Sequence, residues 1–477
     1  MTLNRQSAGT FTPGSHHDPG AAAQADDTAA TWADFKAWER ELTTSGGCTR
    51  PVQLRGKTTV IDLDTGEAAV VHDTADEPGG VLTVACGNRR ENVCPTCSAL
   101  YKKDASQLVR AGLTGGKGIP GSVLLHPCVF ATLTAPSFGP VHTRRERNGR
   151  VLPCRPRRDA QERRCPHGRD ISCPRRHHDS DPLLGRAICP DCYDYRAAVL
   201  FNQHAGRLFR RFTTYLPRHL AKAAGTTVKE LRAAARIRYV KVAEYQVRGV
   251  VHYHAVIRLD AAVPDAGTYL PPPHPWHDAR LLVQAVGGAA AACFLTLDND
   301  GTGHPHTLTF GTQTDITVIR DGGVTIESNG ALSAQAVANY IAKYATKTAD
   351  APGLPTSRLT RLDDIATLRC SNHHKAMMTM AWELGRKARR WAHTLGYGGH
   401  FLTKSRRYSV TFGQLRKARA DFKRHQRPGA DLDPWGRPLD DTIVLVIKTY
   451  TWAGTGYTRT TDGAANAARA ENLARSR

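Results

Sequence analysis

The run Val251-His252-Tyr253-His254-Ala255-Val256-Ile257 constrains this chain more than any other stretch. It is apolar and β-branched enough to read as a strand, in which successive side chains point to opposite faces. His252 and His254 then share one face, while Val251, Tyr253, Ala255 and Ile257 take the other. Two imidazoles spaced this way make a bidentate grip for a metal ion. A second strand-like run, Ile237 to Gln246, precedes it, and Val247-Arg248-Gly249 lies between, so the pair reads as a hairpin. A two-residue turn would set Glu244 on the side away from the histidines. A three-residue loop ending in a left-handed Gly249 sets Glu244 opposite His252, and this register is the one expected. One carboxylate and two imidazoles on one face suit Mg²⁺ or Mn²⁺.

The chain has twelve cysteines, several in Cys-Pro-x-Cys spacing. Residues 1 to 31 lack the apolar core of a signal peptide, so a cytoplasmic location is expected, where such cysteines bind metal rather than form disulfides. The Cys94-Pro-Thr-Cys97 knuckle opens a helical run over 98–113, and Cys48 and Cys86 complete a four-cysteine zinc site. A segment of low hydrophobicity, from about Gly139 to Ile188, closes on a second knuckle, Cys189-Pro-Asp-Cys192. An Arg-rich loop without apolar content needs a staple, and a second Zn²⁺ supplies it. Cys165, Cys173, Cys189 and Cys192 are the expected ligands, with Cys154 and His167 as substitutes.

Sixty-five basic against 43 acidic side chains leave a formal charge of +22, which favours a polyanionic partner. Two segments concentrate it: twelve Arg against four acidic residues over 144–178, and thirteen Lys or Arg against Asp421 alone over 385–427. In the latter, Arg389, Arg390, Lys404, Arg406 and Arg407 stand among Trp391, Tyr397, Phe401 and Tyr408, combining charge with stacking rings for DNA phosphates and bases. The longest apolar run, Leu281 to Leu295, is broken by Gln284 and two glycines and is shorter than the roughly 18 residues of a membrane span. No membrane partner is expected. Gly112-Leu-Thr-Gly-Gly-Lys117-Gly118 lacks the spacing and the Ser/Thr of a nucleotide-binding P-loop, so no helicase is expected either.

Asn329-Gly330 marks a turn, and Ser333 caps a helix running to about Thr348. Within it, Tyr340-Ile-Ala-Lys343-Tyr344-Ala-Thr-Lys347 places both tyrosines on one face, beside Val337 and Ile341. Lys343 and Lys347 likewise share a face.

The apolar-flanked His-x-His and the downstream Tyr-x-x-Lys-Tyr-x-x-Lys together resemble the HUH endonucleases, specifically the two-tyrosine rolling-circle replication initiators of actinobacterial plasmids and integrative elements. Phe130-Ala-Thr-Leu-Thr134 is similar to that family's first motif strand. Cys86-Gly-Asn-Arg89, Cys94-Pro-Thr-Cys97, Arg164-Cys165-Pro-His-Gly168, Cys189-Pro-Asp-Cys-Tyr-Asp-Tyr195 and Gly399-His-Phe-Leu-Thr-Lys-Ser-Arg-Arg-Tyr408 resemble its subgroup's own blocks. The likeness spans about residues 46 to 425. It implies metal-assisted attack by Tyr340 or Tyr344 on one strand of origin DNA, recognised as duplex and nicked as single strand. The products are a 5′-phosphotyrosyl enzyme and a free 3′-hydroxyl for a host polymerase, with a host helicase unwinding. Lys343 and Lys347 would steady the phosphate or lower a phenol's pKa. Rival readings are an HUH relaxase or transposase and a non-enzymatic zinc-dependent DNA-binding regulator.

The expected fold is α+β. An antiparallel ferredoxin-like nicking core over 126–138 and 189–350 would carry helices on one face. Before it come a disordered leader, 1–30, and a zinc-binding region, 31–125. The Arg-rich zinc insertion fills 139–188, a basic DNA-contacting region follows over 351–453, and 454–477 form a disordered tail.

Overall fold

A computed structural model of the chain describes residues 39, 41–156, 164–263, 269–299, 302–319, 333–346, 354–426, 432–438 and 443–457. The expected leader, the turn at Asn329-Gly330, Lys347 and residues 458–477 lie outside these. Helical periodicity in Trp32 to Leu42 also predicts a helix; its described part begins at 39, and 41–44 are helical.

The N-terminal region is built from short strands, β1 (Val52–Arg55), β2 (Lys57–Asp62), β3 (Ala68–Asp73) and β4 (Leu82–Val84). Their outer partners come from far along the chain, as described below. α1 (Pro95–Thr114) starts directly at the first knuckle, with Pro95 in its first turn, where a missing N–H costs nothing. β5 (Cys128–Leu133) follows, a buried β-branched run. The insertion then forms a small hairpin, β6 (Arg145–Arg147) and β7 (Arg150–Leu152), around Asn148-Gly149, whose φ values of 51° and 73° are those of a tight hairpin turn.

α2 (Tyr195–Ala223) is capped by Asp194, whose side chain accepts from the Ala197 amide at 2.8 Å. Its buried stripe, Leu208, Phe209, Phe212, Leu216 and Leu220, faces the sheet. α3 (Val228–Ala234) carries a Thr227–Glu230 capping box and leads into the long hairpin of β8 (Ala235–Tyr245) and β9 (Val251–Ala261). Then come α4 (Ala279–Ala292), β10 (Phe294–Leu297), β11 (His306–Thr309), β12 (Thr314–Val318), α5 (Ala334–Thr346), α6 (Asn372–Glu383), β13 (Leu402–Lys404) and α7 (Phe412–His425).

The central sheet has five antiparallel strands in the order β12-β5-β9-β8-β13. β9 lies at its middle and is buried on both faces. Tyr253, Ala255, Ile257 and Leu259 pack into a core with α2 and α4. Val256 joins Val240, Val242 and Cys128 in a second core with Leu108 of α1 and Val337 and Ile341 of α5. Helices therefore cover both faces, not one as expected. The reason is legible in β9 itself, whose even positions are apolar or paired as well as its odd ones.

The chain closes on its N-terminal region. β14 (Val444–Lys448) pairs with β2 and β15 (Thr451–Thr455) with β1, both antiparallel. Gly56 sits at the bend between β1 and β2 with φ 144°, where a Cβ would lie 1.9 Å from the Thr449 carbonyl oxygen. Residues 454 and 455 thus belong to a paired strand, and the Tyr457 hydroxyl donates to the Cys48 carbonyl at 2.7 Å. The expected tail boundary at 454 is corrected accordingly: an unfilled edge on β1 gave these residues backbone partners.

Candidate metal centre

The hairpin turn fixes the register. The Gly249 amide donates to Gln246 O at 2.8 Å and the Gln246 amide to Val250 O at 2.9 Å, with Gly249 at φ 75°. Buried Asn202 of α2 clamps the turn, donating to Gly249 O at 2.9 Å and accepting from the Val251 amide at 2.9 Å. The loop is the three-residue form, and Glu244 lies opposite His252.

Glu244 Oε2 lies 3.0 Å from both His252 Nε2 and His254 Nε2. Six-coordinate ligands about 2.1 Å from one ion lie about 3.0 Å apart at adjacent vertices, so these two separations are those of a group that could hold a metal ion. The side chains are largely enclosed, 12 % exposed for Glu244, 15 % for His252 and 4 % for His254. Burial pushes the Glu244 carboxyl up, but hydrogen bonds with the two imidazoles outweigh it and hold the group below the usual carboxylate range. Burial likewise holds His254 below the ordinary histidine value, against the pull of Glu244.

The adjoining strand orients His254. Thr132 lies directly across from it on β5, with Oγ1 3.1 Å from Nδ1, which leaves Nε2 aimed into the site. Phe130 stacks parallel to the imidazole, ring centroids 5.7 Å apart. Across β5 from Thr132 stands Asp315 of β12, an acid close enough to act on both His254 and Tyr340. Neither Thr132 nor Asp315 is a sequence-expected site residue. Alternation along 128–134 marks Phe130 and Thr132 as sharing a face, but pairing with β12 is a long-range fact.

α5 lays its tyrosine face over these groups. The Tyr340 hydroxyl is 3.3 Å from His254 Nε2, and the Tyr340 and Tyr344 rings are 4.4 Å apart. The Tyr344 ring lies 5.7 Å from that of His254. Burial, then the neighbouring Tyr344 and Glu244, raise the Tyr340 phenol above its ordinary value. Lys343 Nζ lies 5.7 Å from the Tyr344 ring centroid.

The cysteines sort into separate groups. Cys48, Cys86, Cys94 and Cys97 converge, with Sγ–Sγ distances of 3.7 Å for Cys48–Cys94 and for Cys86–Cys97. Tetrahedral Zn–S bonds of about 2.3 Å place sulfurs about 3.8 Å apart, so this group could hold zinc. Cys165, Cys189 and Cys192 converge with His167, whose Nδ1 is 3.1 Å from Cys192 Sγ. Cys173, expected fourth in that group, is not there. It lies with Cys154, His142 and His177 in a group of its own. Thiol spacing alone could not order these ligands, because among the described residues between Cys154 and Cys189 no helix or extended strand relates them.

In the basic region Arg389, Arg390 and Arg406 are exposed. Lys404 and Arg407 are partly covered; Lys404 pairs across from Val240 at the β13 edge and donates to Arg406 O at 3.0 Å. The expected stacking rings divide. Tyr397, Phe401 and Tyr408 are buried, Tyr408 donating to Val109 O at 3.1 Å, so they serve packing rather than bases. Trp391 stays partly exposed beneath Arg390.

The molecule is thus an α+β protein whose described residues include four groups able to hold a metal ion, and no described helix is long and apolar enough to cross a membrane. Residues 34–471 match the family described as RepSA, replication initiator protein, pSAM2, and the chain belongs to this replication initiator family. It is 40 % identical over 441 residues to a replication initiator protein of Streptomyces ambofaciens, covering 90 % of this chain and 88 % of that relative. No solved structure matches it. Membership supports a role in initiating plasmid replication.

Proposed function

We propose that this initiator nicks and rejoins one strand of its origin through tyrosine, as an HUH endonuclease of the two-tyrosine class serving rolling-circle replication. The observation that carries the reading is the Tyr340 hydroxyl 3.3 Å from His254 Nε2, on the face where Glu244, His252 and His254 converge. The antiparallel sheet, with its histidines on the central strand and the tyrosines on a helix above, fits the ferredoxin-like core that such enzymes share. A divalent cation on Glu244, His252 and His254 would polarise a non-bridging oxygen of the scissile phosphate.

The chain's own groups do the rest. Thr132 and Phe130 hold the His254 ring in place. Tyr340 loses its proton and attacks phosphorus in line; the P–O3′ bond breaks and the departing 3′-oxygen takes up a proton. The phosphotyrosyl bond conserves the phosphodiester's energy, so a 3′-hydroxyl can reverse the step, and Tyr344, 4.4 Å away ring to ring, can make a second transfer that ends one round. Lys343 would steady the phosphate or ease ionisation of the phenol, the latter opposing the upward push that burial imposes on Tyr340. Exposed Arg389, Arg390 and Arg406 would hold origin DNA by its phosphates, in the cytoplasm, alongside a host helicase and polymerase. The groups at Cys48/Cys86/Cys94/Cys97 and Cys165/His167/Cys189/Cys192 would each carry a structural Zn²⁺.

The test is a denaturing-gel assay for covalent adduct. It uses labelled single-stranded oligonucleotides tiling the origin on both strands, Mn²⁺, and wild type, Tyr340→Phe, Tyr344→Phe and the double variant. A metal-dependent adduct that disappears with the tyrosines is expected. Specific binding without adduct anywhere in the panel would replace the nicking enzyme with a zinc-dependent DNA-binding regulator.

A further inference from the structure

The group formed by His142, Cys154, Cys173 and His177 belongs neither to the nicking face nor to the two knuckle sites. Its four ligand atoms lie within 4.8 Å of one another, with His142 Nδ1 3.3 Å and Cys173 Sγ 3.6 Å from His177 Nε2. Cys154, Cys173 and His177 are buried, His177 completely. Four soft or borderline donors gathered in a loop without an apolar core are costly to bury unless something binds them.

Two further features point to an ion at their centre. His177 turns Nε2 toward the group because its Nδ1 is held by Asp181 Oδ2 at 2.6 Å, the carboxylate–histidine arrangement that orients and strengthens a metal-bound imidazole. The Thr143 amide donates to Cys154 Sγ at 3.2 Å, an N–H···S contact that orients the sulfur from outside the group. Two thiolates and two imidazoles suit tetrahedral Zn²⁺.

The position of the group gives it a purpose. His142 exchanges backbone hydrogen bonds with the turn that ends at residue 185, its N–H donating to Arg186 O at 2.9 Å and its carbonyl accepting from Gly185 at 2.8 Å. Gly185, φ 78°, lies so close to the tip of the β8–β9 hairpin that a Cβ would be 2.3 Å from the Val247 carbonyl. Arg248 ties that same tip to the end of β5, donating to Ala135 O at 2.9 Å and Pro136 O at 2.8 Å. A groove of about 990 Å³ opens between the insertion and this end of the sheet, lined by Thr134, His142, Arg155, Gln246, Arg248 and Gln313 among others.

We propose that His142, Cys154, Cys173 and His177 bind a third structural Zn²⁺, which pins the Arg-rich insertion against the turn of the hairpin that carries Glu244 and His252. The ion fixes one wall of the groove and does not depend on the nicking chemistry.

The test is zinc content of the purified full chain by elemental analysis and native mass spectrometry, for wild type, Cys154→Ser/Cys173→Ser and Cys192→Ser. A His252→Ala/His254→Ala control subtracts any zinc retained on the nicking face. After that subtraction, wild type should hold three ions per chain and the double variant two. Alkylation of wild type read by peptide mass spectrometry makes the result independent of whether the variant folds: Cys154 and Cys173 should be protected until a chelator is added. Only two ions in wild type, a double variant with undiminished zinc, free labelling of both thiols without chelator, or a Cys154–Cys173 disulfide would each overturn the assignment.

Discussion

Along β9 every side chain from Tyr253 to Asp260 is buried, whereas among the described residues of 139–188 the buried apolar side chains are all cysteines. The hairpin is ordered by removing surface from water, which obliges each polar group inside it to find a partner. The insertion has too little apolar surface for that, and on the zinc assignments proposed above it is ordered by ligand geometry instead. The two regions meet at Val247–Arg248. They should therefore respond to different insults, and the following experiments separate them.

The largest effect should come from His252→Ala/His254→Ala. Adduct formation should fall on the order of a thousandfold, with circular dichroism unchanged, because in the proposed reaction the lost groups act on phosphate charge rather than on the core. Chelation under native conditions should do the reverse to structure. Limited trypsin digestion should cut within 139–188 at least about tenfold faster, while fragments spanning the hairpin persist. Equal loss of protection in both regions would erase the distinction.

Within the hairpin, Asp260→Asn should destabilise by about 3–5 kcal/mol in urea titrations. Asp260 accepts from buried Arg258 at 2.7 Å and 3.0 Å and lies 2.8 Å from His126, so the change strands a guanidinium in the core.

Lys241 gives a smaller, pH-dependent effect. It is almost fully buried on the opposite face, 4.0 Å from the Tyr253 ring centroid, and burial pushes its pKa down to about 7. Between that value and about 10.4 the unfolded chain holds a proton that the folded one lacks, so stability should rise with pH, at most about 1.4 kcal/mol per unit. Lys241→Met should remove this component and raise stability most at or below pH 7, checked by comparing urea midpoints at pH 7 and 10. The smallest change should follow from Arg389→Ala or Arg390→Ala. Each should lower the salt-dependence slope of duplex binding by about one, weakening all sequences alike.

What could be read beforehand follows the reach of each signal. Period-two alternation and a left-handed Gly249 are local, so the hairpin register and the Glu244–His252 pairing were legible. So was the shared face of Tyr340 and Tyr344, a consequence of four-residue spacing. Cys173 was misassigned because cysteine spacing in an irregular loop fixes which residues can bind metal and not which bind together. Tyr397, Phe401 and Tyr408 were misread because a basic neighbourhood looks alike whether its rings face solvent or core. Strands β1 to β4 went unremarked for a third reason. They are short, and β1 and β2 gain their outer partners only from β15 and β14.

That last arrangement bears on synthesis. The Tyr457 hydroxyl reaches back 409 residues to the Cys48 carbonyl, beside a zinc-ligand candidate, and β15 and β14 seal the open edges of β1 and β2. While the chain is still on the ribosome those edges have no partners, and a product that terminates before 444 never acquires them. The N-terminal sheets can therefore reach their full strand complement only once residues 444–455 have been made. A chain ended before 444 would keep the β8–β9 hairpin but leave the outer edges of β1 and β2 unpaired, open to edge-to-edge association with other chains.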